Sequence, residues 1–367
     1  MRALEKFLTP IALKLYRGFI LEKDIDPSGI NPGEIKTILL VIRHMMGDML
    51  CSIPMIESIR DSFPGSKIIL VTKKSTNFVE IYNGSESPVD EVIYYESGFE
   101  NFLDILKTLQ AKNIDLAIVP STVVYSMTNH LIAYHSKAKI TAGVRSKDFD
   151  KNPSWYLLNI KNDFQWGIKK VHQIERNLDM IRQLNINPSK TKIELPVSDE
   201  NKTYADDFYK QNIADTSRKV IGFHPGAGKE SNIWQTEKFA ELAERLYKNF
   251  KTYLLISEGP ADKKCVEMLR KLLAEKYGIT DYAVHKGTLA GNAAVINRLN
   301  LFVTNDTGIM HAASGLKTPL VALFGETLAY EWGPLGDNKF SIQSPNRNIS
   351  GIDVDSVYKI CEEVLEK

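Results

Sequence analysis

The chain has 367 residues, a length that predicts two domains or one large α/β unit. Its 46 Lys and Arg residues are balanced by 45 Asp and Glu residues, and the net charge of +1 argues against a sequence-independent nucleic-acid binder. A hydrophobic content of 43% with 25% charged residues is typical of a globular protein with a substantial core. The cysteines, Cys51, Cys265 and Cys361, are too few and too scattered for a disulfide framework or a cysteine-based zinc site, which predicts a reducing compartment.

Residues 1–23 are the part of the sequence nearest in character to a membrane segment. The chain contains no run of eighteen or more uncharged apolar residues, so no transmembrane helix is expected. In residues 1–23 apolar and basic residues alternate at helical spacing, with a break near Pro10, and no signal-peptide cleavage pattern follows. Two interpretations stay open: a basic amphipathic helix on an anionic membrane surface, or a helix that packs its apolar stripe on the protein body.

The first half of the chain predicts a doubly wound α/β domain. The apolar run 37–42 is typical of a fully buried parallel strand, and a helix and the second apolar run 67–72 complete a βαβ unit. Further strand candidates at 91–95 and 115–119 extend the pattern. We therefore predict an N-terminal extension over residues 1–34 and a Rossmann-like domain over residues 35–190.

The same alternation begins again after the polar, proline-marked stretch 187–201. It predicts a second Rossmann-like domain over residues 191–345, and a C-terminal helix within 346–367 that is a candidate to brace the first domain. The predicted fold class is α/β, with two doubly wound domains that face each other across a cleft lined by the carboxyl ends of both sheets.

A short motif, RHMMGD at residues 43–48, follows the first predicted strand and precedes a helix. Gly47 permits a tight turn beside a ligand, and Asp48 falls at or near the helix start with its carboxylate toward the cleft. Asp48 is then either a helix N-cap or a general base that takes a proton from a bound hydroxyl.

Two further loops follow predicted strands of the second domain. Residues 224–234, HPGAGKESNIW, contain glycines, and the backbone N–H groups of such a loop can bind phosphate oxygens. Neither G-x-x-x-x-G-K-[ST] nor a complete G-x-G-x-x-G occurs, which disfavours ATP hydrolysis and a standard dinucleotide fold. Residues 305–311, NDTGIMH, enter a helix with Asp306 as the expected N-cap. The N–H groups of Thr307 and Gly308 suit a diphosphate, and His311 is either a ligand contact or a core histidine.

Together these motifs resemble those of the ADP-heptose:lipopolysaccharide heptosyltransferases, glycosyltransferase family 9, which have the GT-B fold. The matching patterns are G-D-x-L-x-x-x-P at 47–54, P-G-A-G-x-x-S-x-x-W at 225–234, and D-T-G-x-x-H-x-A at 306–313, followed by Pro319 and Phe324-Gly325. The resemblance runs in order from about residue 36 to 335. It implies an inverting glycosyltransferase that moves a heptose or related sugar from an ADP-sugar to a lipopolysaccharide-core or similar envelope glycan.

The resemblance also assigns roles to individual residues. Asp48 matches the proposed catalytic base of the family. Residues 287–289 match the segment that holds the adenine, and Asp262 falls where an acidic residue meets the ribose. The full set of implied donor-binding residues is Gly226, Ala227, Gly228, Ser231, Asn232, Asp262, Gly287, Thr288, Leu289, Asp306, Thr307, Gly308 and His311.

The same resemblance defines the expected partners and location. No metal and no cofactor is implied. The expected partners are a nucleotide-diphosphate sugar and a glycolipid or glycan acceptor, with no nucleic acid. Such an acceptor is made at the cytoplasmic face of the inner membrane, which residues 1–23 are candidates to contact.

One position departs from the family pattern. Two residues before Trp234 the family usually has a lysine, whose charge offsets the leaving diphosphate, and this chain has Asn232. An amide donates a hydrogen bond but supplies no charge. Three explanations stay open: the donor sugar differs, Lys229 has taken over the cationic role, or catalysis is weakened.

The acceptor side and the competing functions are less constrained by the sequence. The acceptor-side candidates are His44, Gly47, Lys73, Lys74 and Arg145, and each charged one could equally be a solvated surface residue. The alternative functions are a GT-B transferase with another nucleotide-sugar donor, a nucleotide-sugar epimerase, and a non-catalytic nucleotide-sugar-binding relative. An epimerase needs a histidine and carboxylates that converge on the sugar, and a hydrolase is disfavoured because the sequence has no nucleophile elbow.

Overall fold

The computed structural model describes residues 17–18, 20, 22–82, 87–213, 215 and 217–367. Most of the predicted N-terminal helix lies outside these described residues. The chain divides into two compact units. The first comprises the described residues up to His44, Met55–Thr76 and Pro88–Thr191, and the second comprises those of Met45–Pro54, Asn77–Ser87 and Lys192–Lys367. Two short segments from the first half of the chain therefore belong to the second unit.

The first unit is built on a mainly parallel sheet. As far as the described residues go, its strands run in the order β3-β2-β1-β4-β5, with β6 antiparallel and β7 parallel to β5. They are β1 Thr37–Val41, β2 Lys67–Thr72, β3 Glu91–Tyr94, β4 Leu116–Val119, β5 Ile140–Lys147, β6 Asp150–Lys151 and β7 Ile160–Phe164. The helices Ile53–Ser62, which begins in the second unit, Phe99–Gln110 and Met127–His135 connect strands of this sheet, and Gln173–Arg182 follows β7.

The second unit contains a parallel sheet with the order β10-β9-β8-β11-β12-β13. The strands are β8 Val220–His224, β9 Tyr253–Ser257, β10 Tyr282–His285, β11 Leu301–Asn305, β12 Leu320–Phe324 and β13 Lys339–Gln343. The helices of this unit are Met46–Leu50, Asp199–Asn212, Thr236–Phe250, Lys263–Tyr277, Leu289–Ile296, Gly308–Ser314, Ala329–Trp332 and Val354–Leu365. Among the described residues, no helix combines the length and the apolar character needed to cross a membrane.

Burial explains why the apolar runs of the sequence become strands. Every residue of β8, β9, β11 and β12 is buried, as expected for parallel strands covered by helices on both faces. The strand order reverses between β1 and β4 in the first unit and between β8 and β11 in the second. In doubly wound sheets the ligand crevice opens at the carboxyl ends of the strands at this reversal. The loops after β8 and β11 are therefore expected to border the ligand crevice of the second unit.

The C-terminal helix Val354–Leu365 belongs to the core of the second unit. Its apolar face, which includes Val357 and Cys361, is buried together with Phe239 and Leu246 of the helix Thr236–Phe250. The sequence suggested that this helix braces the first domain. Its buried face completes the core of the second unit, and bracing of the first domain stays a prediction.

Candidate active site

The loop after β8 is held by a buried asparagine at the end of β11. Asn305 is fully buried, and its Nδ2 donates to the backbone oxygens of Pro225 and Gly226 at 3.0 and 3.2 Å. Its Oδ1 accepts a hydrogen bond from the N–H of Trp234 at 3.1 Å. One side chain thus fixes both ends of the glycine-bearing loop. The sequence analysis overlooked Asn305, although a polar residue at the end of an otherwise apolar strand was a signal.

A histidine–aspartate pair lies beneath the same loop. His224 Nε2 lies 3.2 Å from Asp262 Oδ2, and His224 Nδ1 lies 3.1 Å from the carbonyl oxygen of Ser257. Burial lowers the pKa of His224, and the charge of Asp262 opposes this shift. The imidazole and the carboxylate thus form a buried pair that joins the end of β8 to the segment after β9.

Asp262 also explains why position 226 is a glycine. A Cβ atom at Gly226 would lie 1.9 Å from Asp262 Oδ1, while Oδ2 accepts a hydrogen bond from Gly259 N at 2.8 Å. Asp262 is only 5% exposed. The contact of Asp262 with a donor ribose stays a prediction, and in this structure the carboxylate connects the segments after β8 and β9 beneath the loop.

Asp48 lies inside a short helix rather than at its N-cap. The helix is Met46–Leu50 with Met45 as its N-cap residue, and Asp48 Oδ2 accepts a hydrogen bond from the Met45 N–H at 3.3 Å. Burial raises the pKa of Asp48, and this effect exceeds the opposing effects of the Met45 N–H and the positive charge of Lys229. A half-buried carboxylate with a raised pKa is a stronger base than an exposed one.

Glycines bring the helix of Asp48 against the helix Gly308–Ser314. A Cβ atom at Gly47 would lie 2.7 Å from His311 Cδ2, and one at Gly308 would lie 3.2 Å from Met46 Cβ. Gly47 is therefore needed for close packing on the His311 ring, whereas the sequence analysis attributed it to a tight turn. Cys51, one turn after Gly47, places its Sγ 3.5 Å from His311 Nδ1, so this ring is held on two sides.

Asp306 and Asn232 form the centre of the predicted donor segment. Asn232 Nδ2 donates to Asp306 Oδ2 at 3.0 Å, and Asn232 is 6% exposed. Burial raises the pKa of Asp306, the Thr327 side chain and Lys229 oppose the shift, and Asp48 adds to it. The N-cap of the following helix is Thr307, so the predicted capping role of Asp306 is wrong.

Lys229 acts electrostatically on both carboxylates. Its positive charge lowers the pKa of Asp48 and of Asp306, which places the ammonium group within range of both.

The other predicted donor contacts of this loop differ in exposure. Ala227 is buried, whereas Gly228 is exposed, and a methyl group added at Gly228 would meet no atom within 4 Å. Ser231 is exposed and its hydroxyl lies 3.4 Å from a Glu326 carboxylate oxygen.

Residues 287–289 are exposed or half-buried above a buried network. Asn292 Nδ2 donates to the backbone oxygens of Gly287 and Thr288, both at 3.0 Å, and Asn292 Oδ1 lies 2.9 Å from His285 Nδ1. The Thr288 hydroxyl caps the helix Leu289–Ile296 through the N–H of Gly291. The backbone of the segment is thus fixed while Gly287 and Thr288 stay accessible.

The acceptor-side candidates are not assembled into a comparable cluster. His44 is 9% exposed, and burial lowers its pKa to about 4, so at neutral pH it offers no positive charge to an anionic acceptor. Lys73 is half-buried and exerts a like-charge effect on His44. Lys74 is exposed. Arg145 forms a two-pronged ion pair with Asp163, with Nε 2.9 Å from Oδ1, which occupies its guanidinium.

Side chains that could bind a metal ion are not clustered in the described part of this chain. Within the described ranges, His, Cys, Asp and Glu side chains form no group of three or more suited to hold a metal ion.

Comparison with known proteins defines the class of this chain. Its sequence matches the profile of glycosyltransferase family 9 (heptosyltransferase) over residues 102–356. Lipopolysaccharide heptosyltransferase 3 of Escherichia coli K12 is 25% identical over 307 residues, which cover 80% of this chain and 83% of that protein. A glycosyl transferase family 9 structure from Veillonella parvula aligns with a TM-score of 0.75 at 21% identity, covering 95% of this chain and 99% of that one. The ADP-heptose LPS heptosyltransferase II of E. coli aligns with a TM-score of 0.72 at 21% identity, covering 90% and 98%.

These similarities and the two parallel sheets define a GT-B glycosyltransferase, which confirms the predicted fold class. Because the profile covers more than half of the chain, this protein belongs to glycosyltransferase family 9, the heptosyltransferase family. The resemblance inferred from the three motifs is therefore confirmed. The comparisons do not assign roles to individual residues.

Proposed function

We propose that this protein transfers heptose from an ADP-sugar to a lipopolysaccharide-core acceptor with inversion at the anomeric carbon. The observation that carries the proposal is the position of Asp48. The helix Met46–Leu50 belongs to the same unit as the loops after β8 and β11, and burial raises the pKa of the Asp48 carboxyl. A general base thus lies in the unit that carries the phosphate-type loops.

The reaction that we propose is a single displacement. Asp48 takes the proton of an acceptor hydroxyl, and the oxygen attacks the anomeric carbon as the bond to the diphosphate breaks. The leaving nucleoside diphosphate keeps the bonding electron pair. Backbone N–H groups of the 226–228 and 307–308 segments stabilise its negative charge, and residues 287–289 hold the base.

Lys229 is proposed as the cation that replaces the usual lysine of the family. It acts on both Asp48 and Asp306, whereas Asn232 is a neutral donor directed at Asp306. A lysine at position 229 then offsets the diphosphate charge that an amide at 232 cannot. His311 and Ser231 complete the proposed donor set. Metal is not part of this proposal.

The proposed division of labour places the acceptor on residues 35–190 and the donor on residues 191–345, with Met45–Pro54 supplied to the donor unit. Lys73 and Lys74 remain proposed contacts for an anionic acceptor. Residues 1–23, which carry basic and apolar residues at helical spacing, are proposed to bring the enzyme to the cytoplasmic face of the inner membrane.

The decisive experiment measures binding and turnover on the same preparations. Calorimetry with ADP, UDP, GDP and CDP should show selective binding of ADP, and ADP-heptose should be consumed only with a heptose-accepting core glycan. Asp48→Asn should lower kcat by about 10²- to 10⁴-fold, the usual contribution of a general base, with ADP affinity unchanged.

The matched control is Asp104→Asn, because Asp104 is an exposed carboxylate on the helix Phe99–Gln110 of the first unit. It should leave both quantities unchanged. Full turnover by Asp48→Asn would contradict the assigned base. Absence of ADP binding in the wild type would contradict the donor.

A second candidate function, transfer from a different nucleotide sugar, is favoured by one observation. Asn232 is buried against Asp306, and its Oδ1 is without a hydrogen-bond partner in the described part of the chain. Asn232→Lys tests this candidate. A gain in kcat with ADP-heptose would indicate that the asparagine evolved for another sugar, whereas an unchanged or lower kcat would support Lys229 as the working cation.

A further inference from the structure

The tip of the β5–β6 hairpin presents an exposed phenylalanine in a disfavoured backbone conformation. Lys147 of β5 pairs with Asp150 of β6, so the connection is the two residues Asp148 and Phe149. Both have positive φ, 48° and 68°, as in the turns that usually contain Asn and Gly. Phe149 is 81% exposed. A bulky residue with positive φ and an exposed ring gains little in the isolated protein, which points to an external contact.

A second exposed apolar side chain, that of Ile168, lies beside this tip. The Asp148 carboxylate accepts hydrogen bonds from the N–H groups of Gly167 at 3.0 Å and Ile168 at 3.2 Å. Ile168 is 58% exposed. Phe149 also lines a hollow of about 450 Å³ together with Lys169 and the stacked rings of Phe164 and Trp166. We call Phe149, Ile168, Lys151, Lys169 and Lys170 the hairpin patch.

The charged residues of the hairpin patch are positive. Lys151, Lys169 and Lys170 are exposed. Of the neighbouring acids, Asp148 is held by backbone N–H groups and Asp163 is paired with Arg145, while Asp150 is exposed. Asp179, which also lines the hollow, is paired with Arg182, so the three lysines exceed Asp148 and Asp150 by one positive charge beside the protruding apolar side chains.

This combination suits the interface of an anionic bilayer. Apolar side chains enter the boundary between headgroups and acyl chains, and lysines next to them are attracted to lipid phosphates. Two protruding side chains are too few for the area that a stable protein interface buries. Arg17 lies beside the hairpin, since Arg17 and Lys151 both lie over the Trp155 ring, at 5.1 and 4.2 Å from its centroid.

We infer that the hairpin patch docks this protein on an anionic membrane surface by inserting Phe149 and Ile168 between lysines that contact lipid headgroups. The inference rests on the proposed function only for its purpose, because a glycolipid acceptor is reached at a membrane. The docking itself is tested without donor or acceptor.

The test is flotation of the full chain with vesicles of phosphatidylcholine containing 30% phosphatidylglycerol, and with pure phosphatidylcholine vesicles. The wild type should float with the anionic vesicles and much less with the neutral ones. Phe149→Ser/Ile168→Ser and Lys169→Glu/Lys170→Glu should each lower partitioning by about tenfold or more. Phe99→Ser is the matched control, because Phe99 is 74% exposed in the same unit, and it should partition like the wild type.

Three results would overturn the inference: no flotation of the wild type with anionic vesicles, equal partitioning of the wild type and the Phe149/Ile168 variant, or an equal loss in Phe99→Ser. Light scattering covers the alternative that a second copy occupies the patch, since a dimer abolished by Phe149→Ser would also overturn it. ADP binding is measured on each variant. Loss of ADP binding in the wild type would count against the proposed donor and leave the docking result standing.

Discussion

The two units have the same strand order around the reversal of the sheet, yet they place different chemistry there. In the second unit the loop after β8 is fixed by Asn305 and rests on Asp262, both buried. In the first unit His44 follows β1 as a buried neutral histidine, and the charged candidates Lys74 and Arg145 lie at the surface. The contrast is between a loop of the second unit that buried side chains hold in place and charged candidates of the first unit that are accessible, which suits the donor and acceptor roles that we propose for them.

Among variants that test this contrast between the units, Asn305→Ala should have the largest effect on stability and on ADP binding. The variant removes three hydrogen bonds from a buried loop, at roughly 1 kcal/mol each, so the free energy of unfolding should fall by about 3 kcal/mol. ADP affinity should fall as well, because the loop is no longer fixed. Urea unfolding and calorimetry measure the two effects. Asn249→Ala, which removes a single bond to Tyr358, is the control, and an equal loss in both variants would refute a special role for Asn305.

A second prediction compares two glycines of the same loop. Gly226→Ala places a methyl group against the Asp262 carboxylate, whereas Gly228→Ala meets no atom within 4 Å. We expect about tenfold weaker ADP binding for Gly226→Ala, equal to roughly 1.4 kcal/mol, and little change for Gly228→Ala. Calorimetry on both variants decides, and equal affinities would show that the contact with Asp262 does not shape the loop.

A third prediction concerns pH and stability. The raised pKa of Asp48 means that the folded state holds this proton more tightly than the unfolded state, whose carboxyl titrates near 3.8. The associated stabilisation is present below that value and is lost as the pH rises through the folded-state pKa. Asp48→Asn removes the charge, so its Tm should exceed that of the wild type at pH 7, and the difference should shrink towards pH 4.

Thermal unfolding at several pH values checks this prediction. Asp104→Asn, an exposed carboxylate, should show no such trend. A lower Tm for Asp48→Asn at pH 7 would mean that the carboxylate stabilises the fold, as a structural cap would, and would weaken its assignment as a base.

The smallest effect is expected on the first unit. Arg145→Gln breaks a surface ion pair with Asp163, and such pairs contribute less than about 1 kcal/mol to stability. ADP affinity should stay unchanged, because the residue belongs to the unit without the phosphate-type loops. A fall in ADP affinity would break the division between a donor unit and an acceptor unit.

The sequence predicts the inner strands β1, β2, β4, β8, β9, β11 and β12 because they are largely apolar runs, a local signal. It does not predict β5, β6, β7 and β13, whose residues are mixed with polar and charged ones. It also places the loops of 224–234 and 305–311 at strand ends, where the structure has them. Other features depend on contacts between distant residues. Asn305 bonds to residues about eighty positions earlier, and the burial of Asp262 depends on the absence of a side chain at Gly226. Local patterns carry no information on such pairs, so the sequence reveals neither the bonds of Asn305 nor the contacts of Asp262. The mistaken cap at Asp306 differs, since the helix begins one residue later than predicted, with Thr307 as its N-cap.

The assignment of Met45–Pro54 and Asn77–Ser87 to the second unit has a practical consequence for protein engineering. Consider a chimera in which residues before 191 come from one relative and the remaining residues from another, made to exchange nucleotide specificity. Gly47 and His311, which pack against each other, would then come from different parent proteins. The packing between the helix of Asp48 and the helix Gly308–Ser314 would then be mismatched in the chimera. Exchange of both short segments together with the C-terminal half would instead transfer the complete second unit. A functional chimera therefore needs several crossover points along the gene.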